Sequence, residues 1–263
     1  MAQLFRRSRL LACLLLCGGL AAQSAHAQNG RYPPADEPWD GTSYRALVQR
    51  IESEGLPLPT LSSAGTKPVF ERMVDLDNVP LRMGLNRELS TTIRFQRLNS
   101  ALPAIHKLVS LYWDETQKGK PYARELARLM VYETKVCAAW LDLSAPYLAT
   151  LAKDSRYQVH VAYHDQVKSD ARQSYFALVE RLAGTRLYSK PDILKMIGVA
   201  GDGLASYEPI FTNQDRLDLG QKLTQQISST TDQDLKAALS RLREAIEHRR
   251  PQRQDEQASK RRS

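Results

Sequence analysis

The chain has 263 residues, with 37 Lys or Arg against 29 Asp or Glu and only three cysteines. That length can bury one sizeable core without disulfide staples. The formal charge of +8 belongs to the ends: residues 28–248 carry 28 basic and 27 acidic side chains, and so neutral a body gives no reason to expect a nucleic-acid partner.

Arg6, Arg7 and Arg9 form a positive N-terminal region, Leu10 to Ala22 is a run of apolar and small residues, and Ala25-His26-Ala27 offers the small residues that a signal peptidase inspects. This pattern predicts a signal peptide over 1–27, cut between Ala27 and Gln28, and a mature protein that is periplasmic or secreted. Lipid attachment at Cys17 fits less well, because Leu16 stands where a small residue is needed. A twin-arginine signal fits less well too, because Arg9 replaces an apolar residue of that motif. Cys13 and Cys17 leave with the leader, so Cys137 has no partner for an internal disulfide.

Residues 28–41, "QNGRYPPADEPWDG", read as an extended lead-in. A first helix opens near Thr42 or Ser43, with Leu47, Val48 and Ile51 on its apolar side, and stops at Gly55. "LPLPTLSSAGT" is a linker, and Pro68 starts a short helix through about Leu76. A further helix is expected over Asn86 to Leu98, although "TTIRFQR" also tolerates a strand; 42–98 reads as a looser N-terminal subregion.

From Pro103 the helical periodicity strengthens, with Ile105, Leu108, Val109 and Tyr112 in register until "KGK" at 118–120. Pro121 opens a long segment in which Leu126, Met130, Cys137, Trp140 and Ser144 share one face, with a kink expected from Pro146 near Asp142. A third long segment runs to Gly184 with Ala171, Tyr175, Leu178 and Leu182 inward. Pro191 opens a short helix that ends in the turn "GVAGDG" at 198–203, and two capped helices follow, after Thr212 or Asn213 and after Thr231. No repeat of 20 to 50 residues is present. The prediction is an all-α bundle of helix hairpins over 42–249, followed by a disordered basic tail at 250–263. The alternative is α+β, with a two-stranded element pairing 91–95 with 157–163.

"RYQVHVAYHD" at 156–165 raises the sharpest chemical question. His160 and His164 stand four apart, the helical spacing of a metal half-site. On a helix both share the inward stripe of Val167 and Ala171, and antiparallel folding near residue 154 brings His164 level with Ser144, whose hydroxyl can satisfy an imidazole without a metal. Glu133 lies about 18 Å further along the axis, too far to complete the site. Its level partner is His106, through the hairpin that turns near 119. A buried carboxylate requires such a partner, and the pair either locks two helices together or serves as a general base.

No nucleophile motif, HExxH or phosphate loop accompanies these residues, so no cofactor is expected. Tyr112 and Trp113 read as a half-exposed aromatic cluster at a helix end, and Cys137 as a buried thiol. The resulting expectation is a non-catalytic helical binding or scaffold protein of the bacterial cell envelope. Its partner would be an envelope protein or a small ligand, with weak contact of the basic tail to anionic surfaces. The alternative is an exported metal-dependent or hydrolytic enzyme using His106, Glu133, His160 and His164.

Overall fold

The computed structural model describes residues 31–119, 121–182 and 187–248. Among them the chain forms α1 (Gly41–Glu54), α2 (Lys67–Met73), α3 (Val79–Leu85), α4 (Thr91–Gln117), α5 (Ala123–Thr150), α6 (Tyr157–Arg181), α7 (Lys190–Tyr207), α8 (Asn213–Ser229) and α9 (Gln233–His248). The protein is an all-α helical bundle. The leader, the Gly184 turn and the basic tail at 250–263 lie outside the described residues.

The helix ends follow from their capping chemistry. The Asp40 carboxylate accepts from the backbone of Thr42 and Ser43, and α1 stops at Gly55, whose φ of 64° is left-handed. Ser90 and Ser189 cap α4 and α7, and Thr212 with Asp215 forms a complete capping box on α8. For α9 the capping side chain is Asp232, accepting from the backbone of Asp234 and Leu235, one residue later than expected.

α5 is the axis of the bundle: α3, α4, α6 and α7 all pack on it, while α1 covers α4 and the α8–α9 hairpin closes over α6 and α7. Its inward stripe is the expected one, with Leu126, Met130, Cys137, Trp140 and Ser144 all buried. The lead-in and α1 share that core. Tyr44 donates to the Met73 carbonyl and hydrogen bonds the Tyr132 hydroxyl of α5, and the buried Asn78 amide ties Tyr44 to the Trp39 backbone.

Four expectations need correction. The strand alternative is excluded, because 91–95 and 157–163 are the opening turns of α4 and α6. The Ser90 cap and the helical spacing of the residues that follow outweigh local β propensity. Second, α4 runs unbroken from Thr91 to Gln117 through Pro103, rather than as a separate helix over Asn86 to Leu98. Pro103 lies on the exposed face, so the carbonyl one turn earlier that loses its donor can turn to water. Third, "GVAGDG" is helix interior, since α7 continues to Tyr207. Gly203 faces α5 there, where a Cβ built on it would meet the Cβ of Ala138 at 3.8 Å, an ordinary van der Waals distance. Fourth, Tyr112 is fully buried; only Trp113 stands at the edge, with the Arg181 guanidinium 4.0 Å over its ring.

Candidate functional site

The four candidate side chains separate into two places. His106 on α4 and Glu133 on α5 meet as the hairpin register requires, with Nδ1 2.8 Å from Oε1. Glu133 is 3 % exposed, whereas His106 opens to solvent. The hydrogen bond from Glu133 raises the His106 pKa above its usual 6.5, against the opposing effect of burial. Ser174 of α6 completes the cluster, with its hydroxyl 3.2 Å from His106 Nδ1 and donating to Glu133 Oε1 at 3.4 Å. His106 and Ser174 edge a cleft of about 150 Å³ between α4 and α6, shared with Pro103, Tyr163 and Asp170 and floored by Cys137. Burial pushes the Cys137 thiol well up, so it is held as the unreactive thiol.

The cluster resembles a Ser–His–acid relay in composition but not in wiring. In a relay one ring nitrogen takes the serine proton while the other is held by the carboxylate. Here serine and carboxylate meet the same nitrogen. An Nδ1–H that satisfies Glu133 cannot also accept a proton from Ser174. What the arrangement achieves is to neutralise a buried acid and tie α4, α5 and α6 together.

His164 sits elsewhere, one end of α6 away. It is 1 % exposed, and its Nδ1 shares a 2.7 Å hydrogen bond with Ser144 of α5. The ring lies parallel to Phe95, with centroids 4.8 Å apart, and also stacks with Tyr147. Burial lowers its pKa to about 4, so the imidazole is neutral near pH 7. His160, one turn earlier, is half-buried. The Ser144 hydroxyl thus gives His164 a polar partner without a metal. Among the described residues no group of three His, Cys, Asp or Glu side chains is gathered where it could hold a metal ion.

A larger feature lies on the opposite side of α5, where sequence reading placed nothing. α3 with the turn before it forms one wall of a groove, α7 forms the other, and α5 is the floor. The floor combines small side chains, Ala127, Thr134, Ala138 and Ala139, with Val131 and Tyr132. Leu76 and Leu85 stand 51 % and 62 % exposed on its rim. Arg128, Lys135 and Lys195 line its middle, and Arg124 lies where the groove runs on past Asp192. None of these four cations makes an ion pair with another described residue. The Asp192 carboxylate is held by the Ser189 hydroxyl at 2.6 Å, while Asp142 and Asp202 sit at the far, apolar end.

No protein-family model matches the chain, and neither a curated protein nor a solved structure is detectably similar to it.

Proposed function

We propose that this chain is an exported helical protein of the bacterial cell envelope, periplasmic once residues 1–27 are removed, and that it works by binding rather than by catalysis. The export half of this reading rests on the leader pattern alone. The binding half rests on one observation: in the α3–α5–α7 groove Arg124, Arg128, Lys135 and Lys195, none in an ion pair with another described residue, stand beside the exposed Leu76 and Leu85. The polar pairs His106–Glu133 and Ser144–His164, in contrast, satisfy one another. Unpaired cations beside an apolar strip give a partner both electrostatic attraction and surface to bury.

Hydrolysis at the His106 cleft is the second reading, favoured by the Ser174 hydroxyl 3.2 Å from the imidazole. Its shared nitrogen argues against it. Two measurements test the proposal. Cell fractionation with N-terminal sequencing should find mature protein beginning at Gln28 outside the cytoplasmic membrane. Purified 28–263 should not turn over chromogenic esters, phosphates or peptides above background. Turnover that His106→Ala abolishes would make the enzyme reading the better one.

A further inference from the structure

The groove's dimensions and charge pattern point to a particular kind of occupant. From Arg124 to Asp142 it follows α5 over 18 helical steps, about 27 Å at the helical rise. The rim leucines, Leu76 and Leu85, stand exposed rather than closing over the floor. An acyl chain laid there would stay half in water, whereas small-molecule sites usually enclose most of their ligand. A helix would cover the rim instead, setting an apolar stripe at i, i+3, i+4 and i+7 against Leu76, Leu85 and Val131. The charge balance shifts along the same axis: Arg124, Arg128 and Lys195 outnumber Asp192 at one end, whereas Asp142 and Asp202 outnumber Lys135 at the other.

We propose that the groove docks an amphipathic helix of a partner protein, with acidic residues on the half that lies against Arg124, Arg128 and Lys195. This deepens the binding reading above and rests on it. The acidic half is the helix's N-terminal half, since carboxylates also favour that end of a helix dipole. Coulomb attraction at the basic end fixes the direction of docking, and the leucines supply the area buried.

The test uses the mature chain and a labelled 18-residue peptide with a leucine stripe, glutamates in its first half and lysines in its second. Two control peptides replace the glutamates by Lys or the leucines by Ser. Fluorescence anisotropy should show binding of the first peptide only. Arg128→Glu with Lys195→Glu should weaken it at least about tenfold, because like charges then face each other. Hydrogen exchange should slow at 74–85 and 127–139 and leave the His106 cleft unchanged. Absence of binding at about 1 mM peptide, equal binding of the lysine control, or indifference to the double charge reversal would each overturn the proposal. So would capture of anionic phospholipid vesicles, lost on the same double reversal, without peptide binding; that result would assign the groove to a lipid surface. The broader binding reading fails separately, by His106-dependent turnover, which none of these outcomes imitates.

Discussion

Acidification from pH 7 to pH 5 should destabilise this protein through one residue. His164 is neutral in the folded state because burial holds its pKa near 4, while in the unfolded chain it returns to about 6.5. The unfolded state therefore binds a proton that the native state refuses. Stability from this source is complete above 6.5, falls as pH drops below it, and levels off under about 4. At about 1.36 kcal/mol per pKa unit the whole window is worth roughly 3 kcal/mol, and the step from pH 7 to 5 about 2 kcal/mol. For a chain of this size that corresponds to roughly 4–8 °C in Tm. His106 has the opposite sign. Its raised pKa gives stability that is fully present below 6.5 and lost as pH climbs through the folded value, so it acts outside the His164 window. The comparison is urea unfolding at pH 7, 6 and 5 of wild type and the double variant Ser144→Ala, His164→Phe. Removing both partners of the 2.7 Å bond should leave stability at pH 7 within about 1 kcal/mol, since Phe can join the Phe95 stack and no polar atom is orphaned. His164→Phe alone should cost about 1–3 kcal/mol, because it leaves the Ser144 hydroxyl buried and unpaired. Carboxylates titrate in both proteins, so the difference between their pH slopes isolates His164. Identical slopes from pH 7 to 5 would refute the reasoning.

Glu133→Gln should bring the His106 pKa back toward 6.5 in an NMR titration, because its largest raising influence is the bond to that carboxylate; an unchanged value would deny the pair. Gly84→Ala should cost about 1–3 kcal/mol in chemical denaturation, since a Cβ there would lie 2.8 Å from the Leu98 side chain. Gly198→Ala, open on all sides in mid-helix, should gain about 0.5–1 kcal/mol, and a loss there would mean that α7 is not helical at 198. Deleting 250–263 should leave Tm unchanged, because the tail holds no large apolar side chain to bury; a fall of several degrees would show it packed on the body.

Helical register carried the sequence reading further than residue chemistry did. The stripe from Leu126 to Ser144 was legible because one face of α5 is buried along nearly its whole length, and periodicity reports such burial directly. The pairings His106–Glu133 and Ser144–His164 followed from that periodicity and two turns, since antiparallel helices of equal rise keep their levels. Breakers misled where tertiary packing overrides them. Pro103 and the glycines at 198–203 look like punctuation, yet the first turns its ring to solvent and the glycines are carried inside α7, which buries one face in the bundle. Ser174 was missed although it lies three residues after the inward Ala171, because a small hydroxyl on a mixed face carries little signal.

The groove was illegible for a different reason. Its residues come from three segments far apart in sequence, and each alone has an ordinary explanation. Arg124, Arg128 and Lys135 occupy the outward side of α5, where charged residues are expected in any bundle. α3 is only seven residues long and was not foreseen at all, so nothing in the sequence announced that it would pack on α5 with Leu81 buried and Leu85 left on the groove's rim. Only the packing of α3 against α4, allowed by the close approach at Gly84, sets that wall opposite α7. Polar residues on inward stripes reveal internal pairs, because burial forces them to find partners. Charges on outward faces carry no such obligation, and a surface built from them becomes visible only when the fold shows which ones lack partners and what apolar surface stands beside them.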